Sequence, residues 1–536
     1  MTDALTGKPI QGVPVTDGYS YAVTDYGGRY VLQGNSNSRT VYLSVPAEYE
    51  IPTDADHHPA YYKNGNFGDI SQTYINDFQL TPRSSADDDF VLAAAADIHI
   101  YDNSDLTKFT GRSLPDMVTS LNSYCDDDYK ECVVLLPGDQ LSDKSGMMAP
   151  FKAALAGKTV DGRKLTFLHC IGNHDFDAQL LLDNALEKNS YNASATFVEH
   201  FGPTDYSLNI GKAHIVVMNN MMVKGTGTTR NGEVNCIEFD YGFTDEQLAW
   251  LKADLALVER PYDKVVILCV HVPIFNRTSK NFQAVAQLLT NFHEAHVISG
   301  HTHRIKNYKH GKLCAGGSPI YEHNLQMMGG MWWKTNLSVD GSPAGFGLMK
   351  FSGKKLYESV NKATGADLDY QLRVYDGNTK YTALTSGSGA TWSTDRHWNS
   401  DFEWAPKTGE TTNGVNLKGK FIARVWNADD DNWTVEFVQN GVSTPMTRMK
   451  DQPDQCTYAF SYIFHDNIYG NEATYHAPTG NIWVIDAPSG KPANETGWKV
   501  VATHRASDSR TLTYERNVLQ SDFTGFAYGA SVPANK

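Results

Sequence analysis

The sequence predicts a mixed α/β core flanked by β-rich regions, and three observations carry that prediction. Five short apolar runs each stop at polar residues, two stretches show helical spacing, and this alternation is absent before residue 84 and after residue 360. The runs are FVLAAAA before Asp97, CVVLLP before Gly138-Asp139, FLHCI before Gly172, KVVILCV before His271 and AHVIS before Gly300. Apolar runs of about four to eight residues closed by polar ones are the pattern of buried strands. Leu114–Tyr124 sets Leu114, Met117, Val118 and Leu121 at helical spacing. Phe243–Val258 does so more strongly, with Thr244 as N-cap and Glu246-Gln247 in the first turn. Strands alternating with helices make βαβ units. Tyr206–Ile210, Ala213–Asn219 and Lys312–Gly316 read as further strands with no helix between them.

The flanks differ from this core. Residues 1–83 hold short β-prone runs (Gly12–Val15, Tyr21–Thr24, Arg29–Leu32) with a turn at Asp25-Tyr26-Gly27-Gly28, and Thr81–Asp89 is a polar linker. Residues 84–360 form the α/β domain. Residues 361–536 lose helical periodicity and gain short alternating runs at Phe421–Trp426, Trp433–Phe437, Asn481–Ile485, Trp498–Thr503 and Thr511–Tyr514, which predicts a second β-rich domain. The acidic Ala428–Asn432 lacks the spaced ligands of a calcium loop and is expected to be a hairpin tip. Trp332 and Trp333, in a Gly-rich stretch, suit either a substrate rim or a core contact.

Bulk properties narrow the class. The chain has 536 residues and a formal net charge of −15, from 46 basic against 61 acidic side chains. An acidic surface repels polyanions, so general nucleic-acid binding is not expected. No apolar run is long enough to span a membrane. The seven cysteines form no CxxC pair, and Cys132, Cys170 and Cys269 lie inside the strand runs as small core residues. No signal peptide opens the given chain.

Chemistry collects where the apolar runs end. In α/β sheets the crevice at the carboxyl ends of the strands is the usual site. Here those ends carry Asp97, His99, Asp139, Asn173, His271, His301 and His303. Imidazole and carboxylate without thiolate suit divalent Zn, Fe, Mn or Co and argue against a structural thiolate zinc site. Two cations about 3.5–4 Å apart need a bridging carboxylate and several further ligands each, and this set supplies them.

The ordered motifs D-x-H, G-D, G-N-H-D, V-H and G-H-T-H across residues 97–303 resemble the calcineurin-like metallophosphoesterases. That resemblance implies a four-layer sandwich, two central sheets flanked by helices. It implies that Asp97, His99 and His303 hold a first metal, that Asp139 bridges, and that Asn173, His271 and His301 hold a second. His174 then faces the substrate, with Asp175 orienting it, and protonates the leaving oxygen while water activated at the two divalent metals attacks phosphorus. The first motif does not end in Gly and no ligating Tyr follows the second, unlike purple acid phosphatases. D-x-H with G-N-H-D and G-H-T-H further resembles class III cyclic-nucleotide and glycerophosphodiester phosphodiesterases, which leans the expectation to diesters. A phosphomonoesterase, or a binding protein on a phosphoesterase scaffold, is the alternative. The phrase GKPIQGVPVTDGYSYAVTDYGGRYVL resembles the carboxypeptidase-regulatory-like β-sandwich, and the whole resembles exported multi-domain phosphoesterases of the Bacteroides group. Export to the periplasm or outer surface is the resulting expectation, with a small phosphate ester or a surface polymer as substrate.

Overall fold

All five apolar runs become strands in the computed structural model. It describes residues 1–69, 71–84, 88–125, 131–182, 185–226, 229–230, 233–234, 237–275, 278–377, 381–382, 401–402, 419–429, 431–449, 481–486, 497–507, 509–520 and 528–529. The chain divides into two units: Met1–Thr302 with Tyr308–His323 and Leu348–Tyr357, and His303–Asn307 with Asn324–Gly347 and Glu358–Lys536.

The first unit is built on two sheets. In one, Glu131–Pro137 pairs in parallel with Phe90–Ala94 on one side and Thr166–Cys170 on the other. The order is completed by Gly345–Ser352 and Lys355–Ala363, of which 348–352 and 355–357 belong to this unit. In the other, Val265–Cys269 pairs in parallel with Ala213–Val217 and Glu294–Ser299. Tyr206–Ile210 lies outside Ala213–Val217, and Pro319–Asn324 and Lys306–Leu313 extend the far side. Phe90–Ala94, Thr166–Cys170 and Val265–Cys269 are buried at every position, so continuous apolar runs are required, as in sheets covered on both faces. Each fully buried aliphatic or aromatic side chain there contributes about 1.5–3 kcal/mol. Side chains of the two sheets meet: Tyr206 Oη donates to the His169 carbonyl at 3.1 Å, and the His296 ring lies 5.6 Å from Phe351.

Register decides where the polar ends emerge. Ala94 stands opposite Leu135 and Cys170 opposite Pro137, so Asp97, Asp139 and Asn173 leave one edge of the first sheet together. Cys269 stands opposite Ile298, which brings out His271 and His301 side by side from the second.

The two predicted helices are present. Leu114–Tyr124 buries Leu114, Met117, Leu121 and Tyr124. Asp245–Ala256 starts from Thr244, whose hydroxyl accepts the Gln247 N–H while the Gln247 side chain returns to the Thr244 N–H. Lys312–Gly316 differs from expectation. The strand is Lys306–Leu313, and the chain then turns at Gly317 (φ +88°), where the Gly317 N–H bonds to the Cys314 carbonyl.

The N-terminal region forms a four-stranded sheet in the order Tyr21–Val23, Pro14–Thr16, Thr40–Leu43, Tyr62–Asn64. It is fastened to the α/β part by buried polar bonds: Tyr42 Oη donates to the Asp205 carbonyl at 2.6 Å, and Tyr21 Oη to Asp254 Oδ1 at 2.9 Å. Asp254 also takes the Ser207 hydroxyl and pairs with His214 Nε2 at 2.8 Å. Ser85, Ala86 and Asp87 of the expected linker lie outside the described residues.

In the second unit, one four-stranded sheet runs Leu372–Asp376, Lys420–Val425, Ile482–Asp486, Thr447–Met449, and another Val442–Pro445, Trp433–Gln439, Trp498–Ser507, Arg510–Arg516. Trp426 is buried with Arg373 and Arg424 over its ring, and Arg424 forms a fully buried 2.8 Å pair with Asp340. Trp333 is buried beside Tyr528, whereas Trp332 is turned to the His303 ring, 5.7 Å away. Ala428–Asn432 links the two sheets rather than capping a hairpin, because its flanking strands pair in different sheets. Its turn is closed by Asp429 Oδ1, which accepts the N–H groups of Asp431 and Asn432; Asp430 lies outside the described residues. So do Cys236 and Cys456, and the other five cysteines are free and buried. Among the described residues no helix is long and apolar enough to cross a membrane.

One buried group here ties stability to pH. His504 stacks on Trp433 at 4.4 Å, and burial pulls its imidazole down to about 4 from 6.5. The unfolded chain therefore takes up a proton below pH 6.5 that the folded chain refuses until about pH 4. Stability is full above about 6.5 and falls as pH drops through this window, by up to about 3 kcal/mol. Thermal unfolding between pH 7 and 4 should show this loss, and His504→Phe, which keeps the stack, should remove that part of the slope.

Candidate metal centre

The centre is assembled from backbone loops held unusually close. Asp97 N–H bonds to the Gly138 carbonyl, and the N–H groups of His99 and Ile100 to the carbonyls of Asp139 and Gln140, so the first two loops run side by side. Gly138 (φ +86°) has no room for a side chain: a Cβ there would meet the His271 ring and Gly172 Cα. A Cβ on Gly172 would strike Asp139, and one on Gly300 would lie 2.6 Å from Asp97 Oδ2. These glycines are the reason that the loops can converge. Asp97, His99, Asp139 and His301 all take positive φ, between +51° and +66°, which only a well-supported backbone holds in non-glycine residues.

Asp139 lies at the middle. Its Oδ2 is 3.2 Å from His271 Nε2 and 3.8 Å from His99 Nε2, and its Oδ1 accepts the His174 N–H at 2.9 Å. Asp97 Oδ1 is 3.9 Å from the same His99 nitrogen. Asp97, His99 and Asp139 offer ligand atoms within 4.8 Å of one another, as do Asp139, His271 and His301. Asn173 Oδ1 completes the second group, 3.1 Å from His271 Nε2 and 3.0 Å from His301 Nδ1. Those two ring nitrogens are themselves 3.2 Å apart.

The tautomers follow from the outer contacts. His271 Nδ1 is 2.8 Å from the Pro137 carbonyl, which can only accept, so Nδ1 carries a proton and Nε2 is the nitrogen that faces Asp139, where a cation would take the place of a second proton. His99 Nδ1 contacts the Ser142 hydroxyl at 3.2 Å, which turns its Nε2 inward. Electrostatics agree with a cation-seeking cage. Against the pull of burial, the carboxylates of Asp139 and Asp97 carry His271 up to about 9. Asp139 is held well below the usual carboxylate range, its burial outweighed by His271, His174 and His99. Converging nitrogen and oxygen donors, a central carboxylate and the burial of Asp97, His99, Asp139 and His271 fit divalent cations.

His303 follows His301 by two residues, so the chain can carry it no more than roughly 7 Å further. It is half-buried at φ +57°.

The carboxylate on His174 is not the one expected from the motif. Asp143 Oδ2 lies 2.7 Å from His174 Nδ1, and the ring remains about a third exposed (35%). Asp175 instead faces inward, where it accepts the N–H groups of Leu141 and Gly172 at 2.9 Å each and so locks the Asn173–Asp175 turn to the Asp139 loop. The turn points successive side chains in different directions, which separates the two neighbours. Asp143, four residues after Asp139, carried no motif of its own. Glu322 was equally silent in the sequence. Fully buried, its Oε1 accepts the Ile274 N–H at 2.9 Å and the Ser299 hydroxyl at 3.2 Å, and its Oε2 meets His310 Nε2 at 3.1 Å. It thereby ties the loop after His271 to the strand that delivers His301.

Residues 90–304 match the model for calcineurin-like phosphoesterase, residues 2–83 that for the N-terminal part of calcineurin-like phosphoesterase, and residues 322–509 that for the C-terminal part. With these three matches laid end to end, the chain belongs to the calcineurin-like phosphoesterases and carries both of the accompanying terminal domains. Its class is that of the metal-dependent phosphoester hydrolases, a family that typically binds divalent metals, and the buried Asp/His cluster is consistent with that. No curated protein matches the sequence. Among solved structures the chain is similar to phosphopantetheinyl hydrolase from Mycobacterium tuberculosis, at 12% identity over 45% of this chain and 91% of that one, with a TM-score of 0.26.

Removing the Glu322 carboxylate should loosen both histidine loops. Glu322→Ala is expected to lower metal affinity about 10- to 100-fold, the range for lost supports behind metal ligands. Metal content after dialysis against a graded chelator measures it, with Glu322→Gln retaining more metal than the alanine variant.

Proposed function

We propose that the chain hydrolyses phosphate esters, with a preference for diesters, at a two-metal centre. Asp97, His99 and His303 are its ligands for one cation, Asn173, His271 and His301 for the other, and Asp139 serves both. The observation that carries this reading is Asp139 Oδ2, which faces the inward nitrogens of His271 and His99 from a single buried position. A bound pair of divalent cations supplies Lewis acidity toward the phosphoryl oxygens and lowers the pKa of water from 15.7 toward about 7. The chain's own part is to fix donors, exclude bulk water from the cage and place an acid beside it. This reading also carries the four-layer arrangement, with helices covering both sheets.

His174 is the acid. Its backbone N–H is bound to Asp139 Oδ1, and its ring edge meets His99 at 5.1 Å, so it stands next to the ligands without being one. Asp143 on Nδ1 leaves Nε2 as the nitrogen that hands a proton to the departing oxygen. Asp143 is a positioning residue for that ring, and Asp175 supports the turn beneath it. The diester preference is supported by the likeness of the D-x-H, G-N-H-D and G-H-T-H set to phosphodiesterases.

Hydrolysis of bis-p-nitrophenyl phosphate against p-nitrophenyl phosphate, on chelated protein refilled with Mn, Fe, Zn or Co, tests the proposal. The diester should be turned over faster, and only with metal. A monoester preference makes the protein a phosphatase, and silence with metal bound overturns the catalytic reading. His174→Ala should retain both metals and lose about 10²–10⁴-fold in turnover of an alkyl phosphate ester, whose alkoxide needs the proton, and far less on the p-nitrophenyl ester; loss of metal in parallel with activity would sink its assignment as the acid. Asp143→Asn should keep metal and KM while kcat falls.

A further inference from the structure

An antiparallel hairpin of the first unit stands beside the metal centre. Its strands are Met221–Thr226 and Ile237–Tyr241, with Met221 opposite Tyr241 and Val223 opposite Phe239. Side chains on a strand alternate between faces, and directly opposed residues share one. Met221, Val223, Phe239 and Tyr241 therefore lie together on one side.

That side is turned to the centre. The Tyr241 ring meets His301 at 5.4 Å, edge to face, and Phe239 meets Phe176 at 5.3 Å. Phe176 directly follows Asp175, so the two hairpin rings reach both the His301 loop and the Asn173–Asp175 turn. Charge lies on the other side: Glu238 and Asp240 are exposed, and Asp240 pairs with Lys224 at 2.5 Å. Phe239 and Tyr241 are half-buried, so the protein covers their rings only in part.

The foot of the hairpin is fixed. Asn220 is fully buried, donates from Nδ2 to the Val272 carbonyl at 2.6 Å and accepts the Val272 N–H on Oδ1 at 3.1 Å. Its own carbonyl accepts the Gly242 N–H at 3.0 Å, which ties the two strands at their base. Val272 follows His271, so the loop that carries this histidine also places the rings. A wall held in this way is formed before any substrate arrives.

We propose that Phe239 and Tyr241 are specificity-determining residues that hold a planar aromatic ring on the organic arm of the phosphoester. This rests on the two-metal reading, which puts phosphorus beside His301. A charged arm would lose water against these rings and meet no opposite charge among the four side chains. A flat ring gains from them in the offset or edge-on geometries that aromatic pairs prefer, beyond the apolar area it covers. The two rings stand two residues apart on one strand, about 6.5 Å, a gap that a single ring bridges.

Titration calorimetry of the metal-loaded full chain with methyl-, cyclohexyl- and phenylphosphonate tests this, because the three share a head group and their P–C bond is not hydrolysed. Phenylphosphonate should bind about fivefold or more tighter than the methyl compound, and tighter than the cyclohexyl one. Phe239→Thr combined with Tyr241→Thr should bring the phenyl-to-methyl ratio within about twofold of one. Tyr241→Phe, which keeps the ring, should preserve the ratio. Phe239→Thr alone leaves the ring on His301 in place and should lower the ratio at least about twofold; it decides the matter if the double variant sheds metal or fails to fold. Equal affinity for phenyl and methyl, cyclohexyl matching phenyl, or a ratio indifferent to the substitutions would overturn the ring subsite and leave the metal centre standing. Phenylphosphonate binding that persists after chelation would put the ring elsewhere and overturn it too. If the metal-loaded chain takes none of the three, the two-metal reading fails and the subsite with it.

Discussion

The carboxylate of Asp139 is where the two sheets become one site. One of its oxygens takes the His174 N–H, the other faces nitrogens of His271 and His99, and its carbonyl holds the His99 N–H. Three loops from the first sheet and one from the second thus answer to a single side chain. A charge buried this deeply is costly unless it is compensated. The imidazoles around it provide part of that compensation, and a divalent cation would provide far more. The continuous apolar strands follow from the same demand, because only a rigid, fully buried frame can hold so many donors at one edge.

Much of this was legible in the chain. Five apolar runs ending in Asp, His or Asn located the strands and the edge at which they converge, because buried parallel strands leave a strong sequence pattern. Thr244 and Gln247 marked a helix start correctly, since a capping box is a local device. What escaped was anything decided by side-chain direction or by partners far apart in sequence. Asp175 adjoins His174 in the chain yet turns inward to Leu141 and Gly172, while Asp143 reaches the ring across thirty-one residues. Glu322 shows no motif because its meaning lies in Ile274 and Ser299, residues of two other segments. The acidic run at Ala428–Asn432 was read as a hairpin tip because composition announces a turn but not which sheets the turn connects.

The N-terminal sheet shows how an accessory region can be more than a spacer. Tyr42 and Tyr21 send their hydroxyls into the α/β part, to the Asp205 carbonyl and to Asp254. Such buried polar bonds fix orientation more firmly than apolar contact alone, since a misplaced hydroxyl is left unsatisfied. Beside these bonds the two surfaces separate enough to leave a cavity lined by Arg39 and Trp250.

The left-handed backbone of the clustered Asp and His residues has an implication for how this protein would respond to selection. Asp97, His99, Asp139 and His301 each hold a conformation in which glycine is at ease and an ordinary side chain is not. If these residues hold the proposed cations, a change to glycine at any one of them would relax the backbone and remove a metal donor at the same stroke. On that reading, backbone ease and donor supply pull in opposite directions at the same four positions. Breeding a hardier form of this protein would then need a screen for retained metal in every round, or the survivors would be robust, well folded and inert.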